Sequence, residues 1–338
     1  MVSKMRKSTI VVIVLDVLVA ICFFLTYGPF SGLRNYLITT AMNTTTHQYL
    51  AYIFYSDEKI QSVLAQNYYV EIDEDVDLSQ ITMKPGDKST CIDEYDCAIL
   101  DREEGQTYKI IDIKAGNSSG YLIAVYDPAK VEMIRKEQLG TRYGERIIDM
   151  CPRYNASVCI NGGGFYDDGI VTTGAPLGYV IDNKQVVWTD GDVNTARGNL
   201  IGFTEDNKLL LMSNATANEA LEAGVEDAME FGPFLIVNGK SMEIHGNPNG
   251  NAPRTAIAQR KDGIVLFLII DGYEWNQVGA TLKQTVEVLE KYHAYNAANL
   301  DGGTSTTLIV ENKFYNHQRD DMMAQGGRYV VNGWALVR

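Results

Sequence analysis

Two stretches of this sequence end a buried-type strand with a polar residue followed at once by glycines. The first, at 158–166, reads Val-Cys-Ile-Asn-Gly-Gly-Gly-Phe-Tyr, and the second, at 299–305, reads Asn-Leu-Asp-Gly-Gly-Thr-Ser. Glycines let other groups approach the backbone closely, and an amide, an acid and hydroxyls beside them are groups that handle a polar ligand. Two such strand ends in one domain predict a single site built from both, so the fold must bring them together.

The N-terminus carries a topology signal. Lys4, Arg6 and Lys7 precede an apolar run from Ile10 to Tyr27, which approaches the roughly 20 residues that a spanning helix requires. Basic residues ahead of such a run hold the N-terminus in the cytoplasm, so the rest of the chain is expected outside. A cleaved signal peptide is the competing interpretation, but no small-x-small cleavage site follows, and an uncleaved anchor is favoured. Asp16 inside the span indicates local water access, protonation or a partner helix.

Composition excludes several function classes. The chain of 338 residues has 29 Lys and Arg against 43 Asp and Glu, without a basic block beyond the N-terminus. Binding to nucleic acid needs clustered positive charge, so no nucleic-acid partner is expected. The sequence contains no P-loop, Rossmann glycine set or Gly-x-Ser-x-Gly elbow. It has no EF-hand-like loop either, so neither a metal nor a cofactor is indicated.

Four of the five cysteines form two close pairs, Cys91 with Cys97 and Cys151 with Cys159, while Cys22 lies in the apolar run. An oxidising exterior permits a disulfide within each pair, although spacing alone does not fix the connectivity. Metal binding is less favoured, because neither pair has Cys-x-x-Cys spacing and no histidine is close.

The chain divides into segments of different pattern. Residues 1–30 form the predicted cytoplasmic tip and membrane anchor, residues 31–107 a helical stalk and acidic linker, and residues 108–338 a compact domain. Apolar residues from Asn35 to Gln66 recur mostly at helical spacing, whereas the linker at 71–105 is acidic and irregular.

The last segment contains many short strand patterns separated by turn signals. Helices are predicted at 131–139 and 144–150, and a longer amphipathic helix at 281–295. Asn238-Gly239 predicts a hairpin turn. These patterns indicate an α+β fold with a mixed sheet, many short strands and few helices, preceded by a transmembrane helix and a helical stalk.

Five segments place polar residues at strand ends. They are Asn161-Gly162-Gly163-Gly164-Phe165, Phe231-Gly232-Pro233, Ala252-Pro253-Arg254-Thr255-Ala256, Asp271-Gly272-Tyr273 and Asp301-Gly302-Gly303-Thr304-Ser305. Each alone is weak, since Asp-Gly is mostly a turn. Arg254 differs, because a guanidinium between a proline and an apolar strand should face an anion, either an aspartate or a phosphate.

Together these segments resemble the phosphodiester glycosidases, over roughly Tyr121 to Arg338. The motifs of that family appear in the family's order, as Asn161 to Tyr166, Gly232-Pro233 to Gly239, Pro253 to Ala258, Asp271-Gly272 with Gly279 to Leu282, and Asn299 to Ser305. The sequence departs from the family pattern at Gly164, Ala258 and Thr304, which affects substrate fit more than fold.

The resemblance implies hydrolysis of the bond between a sugar's anomeric carbon and a phosphate. A phosphate monoester leaves readily, since its second pKa is about 6. The site then needs a cation to hold the phosphate and an acid to steady the anomeric carbon or activate water. Arg254 is the predicted phosphate clamp, Asp301 the essential carboxylate, and Asp271 a base or an orienter of Arg254.

Further residues are predicted to bind the carbohydrate phosphodiester substrate, namely Asn161, Gly162, Gly163, Gly232, Thr255, Gly302, Gly303, Thr304 and Ser305. Glu230 is a lower-ranked acid, and Trp275 is the aromatic residue best placed to stack on a sugar.

The sequence thus predicts a single-pass cell-membrane hydrolase with an extracellular catalytic domain that cleaves sugar-1-phosphodiester bonds in surface polysaccharides or glycans. Two alternatives remain open. One is a non-catalytic polysaccharide-binding or assembly module, and the other is a phosphoglycosyl transferase of exopolysaccharide biosynthesis.

Overall fold

The computed structural model describes residues 7–42, 44, 47–167, 172–196, 198–272, 277–319, 323–324 and 326–338. The chain forms two compact units. The N-terminal unit comprises residues 1–68 and 245–250, and the large unit comprises residues 69–244 and 251–338. The domain boundaries predicted after residues 30 and 107 stay predictions.

The described helices are α1 Lys7–Tyr27, α2 Ser31–Met42, α3 Tyr49–Phe54, α4 Asp57–Leu64, α5 Glu94–Leu100, α6 Ile147–Arg153, α7 Ala217–Glu222 and α8 Leu282–Lys291. The described strands are β1 Tyr68–Val70, β2 Tyr108–Ala115, β3 Ser118–Val125, β4 Val131–Arg135, β5 Glu145–Arg146, β6 Ala156–Asn161, β7 Phe165–Asp167, β8 Thr172–Pro176, β9 Tyr179–Asp182, β10 Gln185–Thr189, β11 Asn199–Thr204, β12 Leu209–Ser213, β13 Val225–Glu230, β14 Phe234–Val237, β15 Lys240–Ser241, β16 Glu243–His245, β17 Arg254–Arg260, β18 Val265–Ile270, β19 Ala294–Leu300, β20 Leu308–Val310, β21 Lys313–Phe314, β22 Tyr329–Val330 and β23 Asn332–Val337.

Three larger sheets build the large unit. Their strand orders are β15-β14-β19-β17-β18-β3-β2, β21-β20-β6-β23-β4 and β10-β9-β13-β11-β12. The α+β class with many short strands and few helices is confirmed. The ladders described within these three sheets are antiparallel, whereas the sequence pattern indicated a mixed sheet.

The seven-stranded sheet is buried on both faces, and its residues alternate between two core clusters. Ala256 and Leu266 lie in one cluster with residues of α8, including Leu282. Ile257 lies in the other cluster, with Ile160 of the five-stranded sheet that contains β6. Because side chains alternate along a strand, this sheet is the middle layer and fixes the ends of β6, β17 and β19 relative to one another.

Helix α8 covers one face of the seven-stranded sheet and is stabilised by its cap and its buried residues. Thr281 caps it, accepting a hydrogen bond from Gln284 N at 3.1 Å, while Gln284 Oε1 accepts from Thr281 N at 3.0 Å. Such a capping box contributes about 1 kcal/mol. Leu282 and Leu289 are fully buried, and each contributes roughly 1.5–3 kcal/mol by leaving water. The predicted helix at 281–295 is shorter than expected, because strand β19 begins at Ala294.

Two other local predictions differ from the structure. Residues 131–135 form strand β4 instead of a helix, and Val131 and Met133 alternate into the core. The segment at 71–105, predicted to be irregular, contains helix α5, whose Ile99 is buried in the cluster of α8. Asp96 of α5 accepts a hydrogen bond from the buried Arg260 at 2.6 Å.

Both predicted disulfides are present. Cys91 is bonded to Cys97 and Cys151 to Cys159, with Cα–Cα distances of 5.0 and 6.1 Å. The second bridge joins α6 to β6, two residues before Asn161. Cys22 is a free, exposed thiol in α1.

The N-terminal unit contains α1 to α4, in the region predicted to be an anchor and a helical stalk. Within the described residues, the stretch Thr9–Tyr27 of α1 is long and apolar enough to cross a membrane by length and composition. A small core of Ile38, Ala51, Ile60 and Val63 joins α2, α3 and α4.

Candidate active site

The two glycine-rich strand ends meet, as the sequence predicted. Strand β6 ends at Asn161 and strand β19 ends at Leu300, and the two strands belong to different sheets. The Asp301 N–H donates to the Gly162 carbonyl at 2.9 Å, and Asn161 Nδ2 donates to the Asp301 carbonyl at 2.6 Å. Reciprocal hydrogen bonds therefore hold the loop after β6 against the loop after β19.

Asn161 is a buried connector between three segments. It is 0% exposed, and besides its bond to Asp301 its Oδ1 accepts from Thr255 Oγ1 at 2.8 Å and from Thr307 N at 3.0 Å. Thr255 is also 0% exposed. The hydrogen bonds of the buried Asn161 amide link the two loops to β17, and neither Asn161 nor Thr255 is exposed to a ligand.

Asn332, which the sequence analysis did not single out, fixes the glycines of the first loop. Its carbonyl accepts from Gly162 N at 3.1 Å and its Oδ1 accepts from Gly163 N at 2.8 Å. These two N–H groups are therefore already used. A Cβ on Gly163 would lie 2.8 Å from the Glu230 carbonyl oxygen, so the loop needs glycine for close packing.

Asp301 carries the main electrostatic feature of the second loop. Burial raises the pKa of its carboxyl group to about 6, while hydrogen bonds from the Ser305 side chain and the Gly302 backbone and the charge of Arg328 oppose that rise. The nearby carboxylate of Asp167 raises the pKa further. A carboxyl group titrating near neutrality in a polar cluster is a candidate acid or base.

Arg328 is the cation that acts on Asp301, and sequence reasoning missed it. Its guanidinium donates to Thr304 Oγ1 and to Asp167 Oδ2. It also lies 5.5 Å from the centre of the Phe165 ring. Its Nε is buried and has no hydrogen-bond partner within the described part of the chain. A guanidinium held in one orientation is suited to contact an oxyanion.

The ladder registers place Arg254, Asp271 and Asp301 at the same end of three neighbouring strands in the seven-stranded sheet. Thr255 pairs with Leu300, and Arg254 pairs with Ile270. Asp301 and Asp271 each follow one of these partners, so the three predicted catalytic residues lie on neighbouring strands, which are spaced about 4.8 Å apart.

The surroundings of Arg254 and Asp271 differ from those of Asp301. Arg254 is 5% exposed, its Nε donates to the Ala280 carbonyl at 2.9 Å, and burial lowers the pKa of its guanidinium to about 10. Asp271 is buried and its Oδ1 accepts from Asn316 Nδ2 at 3.3 Å and from His317 N at 3.2 Å. Arg254 is thus a strongly desolvated cation, which an anionic ligand would stabilise.

Gly302 and Gly303 lie in the loop after β19, and Gly232 lies between β13 and β14. Gly303 has φ +60° and donates to the Pro253 carbonyl at 2.9 Å. A Cβ on Gly302 would lie 2.7 Å from that carbonyl oxygen. The Gly232 carbonyl accepts from Asn299 Nδ2 at 3.0 Å. Close backbone packing explains Gly302, and the left-handed backbone conformation explains Gly303.

Glu230 has a structural environment. It is buried, and its carboxylate accepts from Tyr179 N at 3.1 Å and from Gly198 N at 3.3 Å. Trp275 lies outside the described residues. In the described ranges, no three His, Cys, Asp or Glu side chains are grouped to hold a metal ion, and the expectation that no metal or cofactor is required stays a prediction.

Comparison with known proteins agrees with these motifs. The family model of the phosphodiester glycosidases matches residues 154–337, which is more than half of the chain. The uncharacterized protein YomE, derived from the SPbeta prophage of Bacillus subtilis (strain 168), is 28% identical over 188 residues, covering 54% of this chain and 28% of that protein.

Mouse N-acetylglucosamine-1-phosphodiester alpha-N-acetylglucosaminidase is 25% identical over 174 residues, covering 47% of this chain and 32% of the mouse protein. The chain therefore spans less than a third of the length of these curated relatives.

A solved structure has a similar fold. It is the catalytic domain of the zebrafish enzyme of the same name, auto-inhibited by its pro-peptide, and it matches with a TM-score of 0.56 and 20% identity over 71% of this chain and 87% of that one. The family model covers the loops of Asn161, Arg254, Asp301 and Arg328, and this protein belongs to the phosphodiester glycosidase family.

Proposed function

We propose that this protein hydrolyses the bond between the anomeric carbon of a sugar and a phosphate in sugar-1-phosphodiesters. The observation that carries the proposal is the environment of Asp301. Its carboxyl group has a pKa of about 6 and lies with the Ser305 hydroxyl and the Arg328 guanidinium at the junction of two glycine-rich loops. Membership of the phosphodiester glycosidase family supports the same chemistry.

Asp301 is the proposed base. Above its pKa of about 6 the carboxylate is ionised, and it takes a proton from a water molecule whose oxygen attacks the anomeric carbon. The bond from that carbon to the phosphate oxygen breaks, and its electron pair stays on the oxygen. The products are a free sugar and a phosphate monoester. Before the attack is complete, the same negative charge stabilises the electron-poor anomeric carbon.

Two guanidinium groups are available for the phosphate. Arg254 is the proposed clamp, because a bound anion would offset the desolvation that lowers its pKa to about 10. Arg328 is a second proposed phosphate contact, through the part of its side chain that is 21% exposed. Its terminal nitrogens are held by Thr304 and Asp167, so its orientation is set before substrate binds.

Asp271 has a positioning role in this scheme. It accepts hydrogen bonds from Asn316 and His317, and it adjoins the position that pairs with Arg254 in the sheet. It is proposed to orient the phosphate clamp. The predicted substrate contacts at Gly302, Thr304 and Ser305 belong to the same loop as Asp301 and line the proposed sugar-phosphate position.

The proposed location is the outer face of the cell membrane. The apolar stretch Thr9–Tyr27 follows basic residues in the sequence, and both disulfides of the large unit fit an oxidising exterior. Phosphodiester-linked sugars of cell-surface polysaccharides or glycans are the proposed substrates, because these occur where the catalytic domain would be.

A substrate panel tests the proposal. Full-length protein in detergent is incubated with nucleotide sugars and simple sugar-1-phosphodiesters, and released sugar and phosphate monoester are measured by chromatography. Equal amounts of both products are expected from at least one substrate, and at least about a hundredfold less with Asp301→Asn. Detection of ¹⁸O from labelled water in the sugar, not in the phosphate, locates the broken bond.

Two results would contradict the proposal. ¹⁸O in the phosphate would mean cleavage of the phosphorus–oxygen bond. Turnover that appears only with an acceptor glycan would indicate the transferase. Arg338→Met is the control variant, because Arg338 forms an exposed ion pair with Glu311 away from these loops, and it should hydrolyse the substrate at the rate of the unaltered protein.

A further inference from the structure

Helices α2 and α3 of the N-terminal unit expose an unusual number of large apolar side chains. Nine such residues between Phe30 and Phe54, here called the apolar patch, are exposed. They are Phe30, Leu33, Tyr36, Leu37, Tyr49, Leu50, Tyr52, Ile53 and Phe54. Exposed apolar side chains grouped on two helices that share one small core mark contact with a membrane or another protein.

The pattern on α2 shows that this exposure is organised. Leu33, Tyr36 and Leu37 follow one another at spacings of three and one residues, so they lie on one face of the helix. The opposite face is also apolar, because Ile38 is fully buried in the small core. A helix in water buries its single apolar stripe, whereas α2 is apolar on two sides.

Charge is nearly absent from the same segment. Between Gly28 and Ser56, Arg34 is the single residue among Asp, Glu, Lys and Arg. Acidic and basic residues return at Asp57-Glu58-Lys59, at the start of α4. A water-facing helix pair normally carries charged residues on its outer face, so the segment is suited to a low-dielectric surface.

The apolar patch is continuous with the end of the candidate membrane span. The Phe24 and Phe30 rings are 5.5 Å apart, and the Tyr27 and Tyr55 rings are 6.3 Å apart. Arg34 Nη1 donates to the Gly28 carbonyl at 3.4 Å, which ties α2 to the residue that follows α1.

We propose that the apolar patch of α2 and α3 lies in the interface of the lipid bilayer, between the headgroups and the acyl chains of the outer leaflet. Three of the nine patch residues are tyrosines, and tyrosine favours this zone at the ends of membrane spans. The proposal rests on the membrane anchoring proposed above and is independent of the glycosidase chemistry. It implies that the membrane attachment includes α2 and α3 at the bilayer surface as well as the crossing helix α1.

Spin-label accessibility tests this in the full chain reconstituted into phosphatidylcholine and phosphatidylglycerol vesicles. In a Cys22→Ser background, nitroxide labels are placed separately by Ile53→Cys, Leu18→Cys and Tyr143→Cys. Ile53 and Tyr143 are 63% and 54% exposed, so they are matched apart from the surface on which they lie. Collision with oxygen, which concentrates in lipid, is compared with collision with a water-soluble nickel chelate.

The expected result is a several-fold higher ratio of oxygen to nickel collision at position 53 than at position 143, with position 18 higher still. If the collision ratio indicates lipid at position 18 but water at position 53, the membrane anchor is supported and the apolar patch is not in the bilayer. If position 18 also reads water, the anchoring itself fails.

A further outcome would overturn the proposal in favour of another occupant. Protection of position 53 from both reagents, with dipolar broadening between labels, would show that a second copy of this chain covers the apolar patch. Diluting labelled with unlabelled protein removes such broadening and confirms its origin.

Discussion

The two glycine-rich loops have nearly the same sequence pattern, but their polar residues lie in different environments. In the loop after β6, Asn161 is fully buried with all its hydrogen bonds inside the protein, and the N–H groups of Gly162 and Gly163 are bonded to Asn332. In the loop after β19, Asp301 keeps a carboxyl group that titrates near neutrality. A polar residue before glycines is therefore a structural support or a candidate reactive group, according to what its side chain contacts.

The largest expected effect is loss of turnover in Asp301→Asn. The amide cannot accept a proton from water, so turnover should fall by about 10²- to 10⁴-fold, the range of general base catalysis. Binding of a non-hydrolysed phosphonate analogue should persist, because the phosphate contacts remain. Steady-state rates and calorimetric titration measure the two quantities, and a variant that keeps more than a tenth of the activity would remove Asp301 from the chemistry.

Asn161→Ala should give the reverse pattern, a loss of stability. The change leaves the Thr307 N–H and the Asp301 carbonyl without their partner in a buried place, at about 1–3 kcal/mol for each group. A total of about 3 kcal/mol of unfolding free energy is expected, measured by urea denaturation. Activity per folded molecule should fall far less than in Asp301→Asn.

Asn296→Ala is the matched control for that variant. Asn296 is also 0% exposed and its Oδ1 accepts from Asn238 N at 2.9 Å, but it lies near the opposite end of β19. A similar loss of stability with unchanged turnover is expected. Equal losses of turnover in both Asn variants would show that stability, and not the junction of the loops, controls activity.

Arg328→Met sharpens the comparison by altering the second loop without touching Asp301. The positive charge of Arg328 lowers the pKa of Asp301, so its removal raises that pKa above about 6. The acidic limb of the kcat/KM profile should move upward by about one pH unit, and the lower ionised fraction of Asp301 should reduce activity at pH 6.5 about threefold. An unmoved limb with reduced activity would mean that Arg328 contacts substrate but does not tune the base.

The sequence was sufficient to predict the elements that depend on local pattern or on family motifs. It predicted the α+β class, the two disulfide pairs and the meeting of the two glycine-rich loops. It also grouped Arg254, Asp271 and Asp301, which the registers place at the same end of neighbouring strands. These depend on strand ends, turn residues and close cysteine spacing, which are visible within a few residues.

What the sequence did not reveal depends on long-range contact. Arg328 and Asp167 are 161 residues apart, and neither stands in a pattern that marks it. Residues 131–135 have apolar positions that fit a helix or a strand, and pairing with β23 decides for the strand. Asn332 follows a short strand, and its sequence context resembles that of a turn asparagine. Its hydrogen bonds from the Gly162 and Gly163 amides are visible only in the structure.

The smallest expected effect concerns the dependence of stability on pH. The folded-state pKa of Asp301 is about 6, above the ordinary aspartate value of 3.8. The stability that the protonated group contributes is therefore fully present below about pH 4 and is lost as pH rises through about 6. Asp301→Asn removes that loss, so it should raise the unfolding free energy by about 1–2 kcal/mol at pH 8 and by little at pH 4.

Asp227 of β13 is the control for Asp301 in this experiment. Burial also raises its pKa to about 6, yet its carboxylate accepts from Asn183 N at 2.9 Å and from Met133 N at 3.2 Å. Asp227→Asn places an amide N–H₂ against one of those donors, which offsets the gain, and the expected change at pH 8 is about zero. Urea denaturation of both variants at pH 4 and pH 8 measures the difference. An equal gain at both pH values in Asp301→Asn would show that ionisation of this carboxyl group is not the source. A gain confined to pH 8 would mean that the ionised Asp301 lowers the stability of the loop after β19. The neutral Asn161 of the loop after β6 has no such cost.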